Sequence, residues 1–234
     1  MMRWIALLAV MLIAACDPVM PPRIEAPQRA PSEQVSREVT TLAAVVERMD
    51  PVLERECRNR TRGVNCNFAY VVDDGSGRPP NAFQTVDRDT GRPVLGVTAS
   101  LLEEVRNSDE LALILSHEAA HHVEQHLARR QRSAMAGALV MGELVALGGA
   151  DAASVRRARD MGADLGARVY SQEFELEADA LGARLAYMAG FDPIRGTGFL
   201  QRMPEGHHHL LSTHPPAAER IALIRRVTAQ MRGS

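Results

Sequence analysis

Lysine is missing from this sequence: all 27 basic residues are arginine. That bias reflects a GC-rich coding sequence rather than a function. Aromatic residues are scarce too, at 4%, so a core drawn from the 46% of hydrophobic residues must consist mostly of Ala, Leu, Val and Met. Neither charge sign is in excess. A net charge of −2 and a pI near 6.5 exclude the basic footprint that nucleic-acid binding ordinarily needs. No internal repeat is present, and no apolar run is long enough for a permanent bilayer-spanning helix. The longest interior candidate, "SAMAGALVMGELVALGGA", is interrupted by Glu143 and weakened by glycines. It reads as a buried or hairpin-forming helix, with a membrane-contacting hairpin as the competing reading.

What is present begins with an address. At 234 residues the chain is about one and a half typical domains long, which suggests one domain with additions. "MMRWIALLAVMLIAAC" carries one arginine, then an apolar run, then small residues before Cys16, the pattern of a secretory signal. Its ending resembles the bacterial lipobox, in which the cysteine becomes the lipid-modified first residue. Residues 1–15 are thus expected to be a signal peptide, and residues 16–35 a lipidated cysteine with a proline-rich tether. The folded domain is expected over 36–234. These features place the protein at the periplasmic face of a bacterial envelope membrane, held there by lipid, with inner or outer membrane left open. Cys57 and Cys66 suit that compartment as a disulfide. Metal binding is the competing use, but CxxC spacing is absent.

"SREVTTLAAVVERMDPVLERECR" has apolar residues at helical spacing (Val39, Leu42, Val46, Met49, Leu53) and predicts one or two helices. "NFAYVVDD" alternates as a strand, and "NAFQTVDRDTGRPVLGVTASLLEEV" suggests one or two strands entering a helix at Ser100. From Ser108 onward the pattern is almost wholly helical, with Asp109 and Glu110 suiting a helix start. The expected fold class is mainly α with a small β-sheet (α+β).

Eight histidines are present, and four fall within "ILSHEAAHHVEQH". On a helix, His117 and His121 lie one turn apart on one face, and can take two positions of a tetrahedral zinc. Glu118 is turned from His117 by about 100°, so it reaches a metal-bound water better than the metal itself. That is the logic of HExxH: the ion lowers the pKa of the water, and the glutamate takes its proton. On the same helix, His122 is turned by about 140° and His126 by about 180° from His117. Both are expected to be structural or solvent-facing. A third ligand is expected from "YSQEFELEADALGARL". Glu175 and Asp179 share a face there, which suits one metal carboxylate and one that orients a ligand imidazole. Glu173 and Glu177 form a pair on another face and are expected to be solvated.

"ELALILSHEAAHHVEQH", "ELEADALGARLAYMAGFDP" and "STHPPAAERI" together resemble the M48 family of zinc metallopeptidases, gluzincins, and most closely its soluble periplasmic members. The resemblance runs from about Asn81 through Ile221. It implies one Zn2+ held by His117, His121 and Glu175, Glu118 as general base, and Asp179 supporting a zinc histidine. It implies that "NAFQ" and "VLGVT" form strands beside the active-site helix, where an edge can align an extended substrate. His214 matches a histidine that either blocks the water site or stabilises the tetrahedral intermediate, and Arg220 would shape the same loop. The run His207–His209 matches nothing in the family pattern. The implied activity is zinc-dependent hydrolysis of peptide bonds in misfolded or stalled polypeptides of the periplasm. The alternative is a zinc-stabilised chaperone or binding module whose site is self-blocked.

Overall fold

The structure is a computed structural model and describes residues 33–168, 171–203 and 215–233. The expected signal peptide, Cys16, most of the tether, the run His207–His209 and His214 lie outside the described residues. The first helix, α1 (Glu33–Arg60), is a single element despite the proline inside it. Pro51 lies on its exposed side, so the buried stripe of Leu42, Val45, Met49, Leu53 and Cys57 continues past it. A disulfide joins Cys57 at the end of α1 to Cys66, with 5.7 Å between the Cα atoms.

Three short strands follow: β1 (Ala69–Asp73), β2 (Ala82–Val86) and β3 (Pro93–Thr98). Their order is β1-β3-β2, with β1 parallel and β2 antiparallel to β3. The central strand is the buried one, as expected where both neighbours cover it. Gly96 on β3 is required by its partner: a Cβ there would sit 2.1 Å from the Phe83 ring. β2 forms one edge of the sheet and packs beside α3.

Thr98 ends β3 and caps α2 (Ala99–Glu104), its hydroxyl accepting from the Leu101 amide. α3 (Ser108–Val123) begins at Ser108, where the helical pattern opens. Its cap, Asn107, accepts from the Asp109 and Glu110 amides at 3.0 and 3.1 Å. This helix is buried nearly all round because α1, α6, α7 and the sheet surround it. Near its start, buried Glu110 accepts from both outer nitrogens of Arg202, at 2.7 and 2.8 Å, and from the Arg106 amide.

α3 does not continue through His126. Gln125 takes a left-handed conformation, φ +54°, and a new helix starts beside it. α4 (His126–Leu147) and α5 (Ala152–Arg168) form the hairpin that the glycine-rich stretch suggested. Their backbones meet at glycines: a Cβ on Gly137 would lie 2.1 Å from the Gly162 carbonyl oxygen. Met135, Leu139, Leu144, Leu147, Met161 and Leu165 remain exposed on this hairpin. Among the described residues no helix is long and apolar enough to cross a membrane. α6 (Ser171–Met188) returns to α3, followed by α7 (Pro193–Gly196), α8 (Gly198–Arg202) and α9 (Ala217–Arg232). The architecture is thus helical with a three-stranded sheet, an α+β domain.

Candidate metal centre

The α3–α6 contact is close because the facing residues are small. Ala119 and Ala120 on α3, and Ala178 and Ala186 on α6, are completely buried. At Gly182 a Cβ would stand 3.0 Å from the His117 backbone nitrogen and 3.1 Å from its Cα. α6 is therefore seated against the very turn of α3 that carries His117. The acids of one helix and the imidazoles of the other meet in consequence.

His117 Nε2 lies 3.0 Å from His121 Nε2. The Glu175 carboxylate reaches both, at 3.3 Å from His117 Nε2 and 3.4 Å from His121 Nε2. One donor atom from each residue fits within a sphere of mutual distances under 4.8 Å. Four ligands at ~2.0–2.2 Å around zinc are separated by edges of about 3.3 Å in a tetrahedron. The edge between the two imidazole nitrogens is close to that length, and Glu175 meets each imidazole through a different carboxylate oxygen, with one donor atom from each residue inside 4.8 Å. Two nitrogens and one carboxylate oxygen are also a donor set that suits zinc. The three groups can hold a divalent metal ion.

Behind His117, its Nδ1 lies 3.0 Å from Asp179 Oδ1. Asp179 is in turn gripped by Arg220 from α9, with Nε donating to Oδ2 and Nη2 to Oδ1, both at 2.7 Å. Both members of this ion pair are buried. Burial opposes the charge on Asp179, but the guanidinium and His117 outweigh it and hold its carboxyl below the usual range. Burial likewise opposes a charge on His117, yet Asp179 and Glu175 raise its pKa to about 9. The same negative surroundings favour a cation between the donors. The loop at His214 that Arg220 was expected to shape lies outside the described residues; the Arg220 guanidinium serves Asp179. Glu118, half-buried on α3, is near enough to add to the stabilisation of the Arg220 charge.

For His126 the structural role holds but the turn of about 180° does not, and the expected solvation of Glu177 is overturned. His126 does not face away from the centre, because the break at Gln125 swings it back. It is buried, with Nδ1 2.8 Å from His121 Nδ1 and its ring stacked on Phe174 at 4.5 Å. Burial holds His126 down to about 4, against the pull of Glu177, so it is neutral near pH 7. Glu177 is not simply solvated: it accepts from His126 Nε2 at 2.9 Å and is ion-paired with Arg129. Sequence spacing missed this group because its members come from two helices on opposite sides of the hairpin. No glycine or proline announces the break between α3 and α4. His122 is structural as expected, buried with Nε2 2.8 Å from the Asn65 carbonyl and its ring edge-on to Phe68. Glu173 is exposed, as expected.

Comparison with known proteins gives relatives and a family. The beta-barrel assembly-enhancing protease of Yersinia pestis is 29% identical over 183 residues, covering 69% of this chain and 37% of that protein. The protein of the same name from Escherichia coli K12 is 31% identical over 140 residues, covering 54% of this chain and 28% of its own length. The chain thus matches well under half the length of either relative. The sequence profile of peptidase family M48 matches residues 41–228, a stretch running from α1 into α9 and enclosing every group of the candidate centre. The match covers most of the chain, and the protein belongs to peptidase family M48.

Proposed function

We propose that this protein is a zinc-dependent endopeptidase of the bacterial envelope. The observation that carries the reading is the convergence of Glu175 from α6 with His117 and His121 on α3, the helix that also presents Glu118. Membership of a zinc-dependent peptidase family supports it. When bound, a zinc ion supplies Lewis acidity to a peptide carbonyl and to the attacking water.

The residues of the chain supply the rest. Glu118 takes a proton from the water at its carboxylate as the oxygen attacks the carbonyl carbon, and gives it to the departing amine nitrogen. Asp179 accepts from His117 Nδ1–H, leaving the Nε2 lone pair for the ion, and Arg220 keeps Asp179 ionised and in place. The outer edge of β2, unpaired among the described residues and beside α3, offers backbone groups to an extended substrate. His214 gates the site or stabilises the oxyanion.

For location, the signal-like leader and Cys16 support lipid attachment facing the periplasm. The names of the curated relatives support a role with envelope proteins, misfolded or stalled ones being the substrate class. The test is cleavage of an unfolded outer-membrane protein by wild type, Glu118→Gln and His214→Ala, with zinc content measured for each. Glu118→Gln should keep its zinc and lose cleavage; wild-type cleavage by that variant would refute the general-base role. His214→Ala should gain activity if the residue blocks the site and lose it if it assists.

A further inference from the structure

The two histidines of the centre are supported differently. His117 gives its Nδ1 to an arginine-held carboxylate directly, through Asp179 and Arg220. At the Nδ1 of His121 the described partner is not a carboxylate but His126, at 2.8 Å. Glu177, which on α6 is turned about 200° from Glu175, lies off the donor face. The His126 ring spans the gap, with Nε2 2.9 Å from Glu177 Oε2. Arg129 closes the series on Glu177.

Hydrogen-bond logic gives this series one direction. An ionised carboxylate only accepts, so Glu177 requires the proton of His126 on Nε2. With that proton on Nε2, the 2.8 Å contact between the two Nδ1 atoms, which needs one donor and one acceptor, is met by His126 Nδ1 accepting from His121 Nδ1–H. That leaves the His121 Nε2 lone pair facing His117 and Glu175. Two further features hold the series in place. The Phe174 ring lies parallel to His126, interplanar angle 8°, and the Arg129 guanidinium sits over the same ring at 4.2 Å. Gln125 adopts a left-handed conformation, rare for a residue with a Cβ, and it is this bend that returns His126 to the centre.

We infer that His126, Glu177 and Arg129 are positioning residues of the metal centre, a relay that fixes the tautomer and orientation of His121 as Asp179 and Arg220 do for His117. The inference rests on the zinc reading of the three donors. A buried histidine that merely fills the core would affect folding but leave metal binding by the folded protein unchanged.

The test measures zinc affinity of the purified chain by competition with a chromophoric chelator, with thermal unfolding of each metal-free variant alongside. His126→Phe keeps a ring on Phe174 and removes both nitrogens. It should bind zinc about 10–100-fold more weakly, the usual effect of losing a partner of a metal ligand. His126→Asn places its amide oxygen where Nδ1 was, able to accept from His121, and should recover most of that loss. Glu177→Gln should weaken binding by a few fold and shift the visible spectrum of the cobalt-substituted protein. Zinc affinity in His126→Phe equal to wild type, or equal losses in the Phe and Asn variants, would overturn the relay. Should His126→Phe fail to fold, Glu177→Gln decides: unchanged affinity and spectrum refute the inference. A wild-type chain that binds no zinc would overturn the metal reading itself, a result distinct from any difference among variants.

Discussion

Replacing Gly182 with alanine sets two effects of similar size against each other at the point where the metal centre is built. Alanine is favoured over glycine inside a helix by about 0.8–1.0 kcal/mol, so on an open face the change would stabilise α6. Here the new methyl would meet the His117 nitrogen at 3.0 Å, its Cα at 3.1 Å and the Ser116 carbonyl carbon at 3.2 Å. All three are backbone atoms of a helix packed on every side, so none can swing away as a side-chain tip would. α6 must move outward by a few tenths of an ångström. Overpacking of this kind costs about 1–3 kcal/mol, for a net destabilisation of roughly 0–2 kcal/mol. In a domain of this size that corresponds to a melting temperature lowered by up to about 8 °C. The displacement matters more for binding, because metal–ligand distances tolerate only about ±0.2 Å. Moving α6 carries Glu175 and Asp179 away from the histidines together, and zinc affinity should fall at least about tenfold, as for other disturbances of a ligand's support. Differential scanning calorimetry of the metal-free protein and chelator competition measure the two quantities. A variant more stable by the full propensity gain, with zinc affinity unchanged, would refute the claim that this glycine sets the α3–α6 spacing.

Arg220→Ala should destabilise the protein by about 3–5 kcal/mol, because it leaves the buried Asp179 carboxylate without its guanidinium. A loss below 1 kcal/mol in urea unfolding would show that the pair is solvated. Glu110 gives a pH signature. Burial raises its carboxyl, but Arg202 and the Arg106 amide prevail and hold it below its ordinary value of 4.5. The unfolded state therefore binds the proton more readily. The pair's contribution is complete above the ordinary carboxyl range and is lost as pH falls through the depressed folded value. Urea unfolding between pH 3 and 6 should show a steeper acid loss for wild type than for Glu110→Gln; parallel curves would refute it. Reducing the Cys57–Cys66 disulfide, which spans nine positions, should cost about 2–3 kcal/mol by freeing the unfolded chain. Unfolding with and without dithiothreitol checks this, and coincident curves would contradict it.

Much of the centre could be read from one helix and one short motif, because both obey a single rotation per residue. The four-residue spacings of His117 with His121 and of Glu175 with Asp179 put each pair on one face, and the structure brings those faces together. The same arithmetic failed at His126, since it assumed that the helix ran on. A left-handed glutamine between Glu124 and His126 has no signature in composition. Glu177 was misplaced for a different reason: its partners, Arg129 and His126, lie some fifty residues earlier and meet it only through the return of α6. The starts of α2 and α3 were legible to within one residue, from Ser100 and Ser108, whereas the pattern did not name Asn107 as the cap. The three strands and the hairpin were legible because alternation, turns and glycines mark them locally. The pairing order β1-β3-β2 was not, being a property of contacts distant in sequence.

The hairpin also bears on how such a chain can change over time. Between the imidazoles of α3 and the carboxylate of α6 the polypeptide leaves the domain along α4 and comes back along α5, and the two limbs pack chiefly on each other. From Arg130 outward to the far turn and back, none of the donor trio is carried. Doubling such an excursion adds only about 0.6 kcal/mol of closure entropy, so its span is nearly independent of the chemistry at its base. Lengthening, trimming or re-facing this arm is therefore an adjustable appendage of the enzyme's architecture. New surfaces can be tried there, and a reporter peptide grafted at Gly149, while the donor atoms at the base stay where they are.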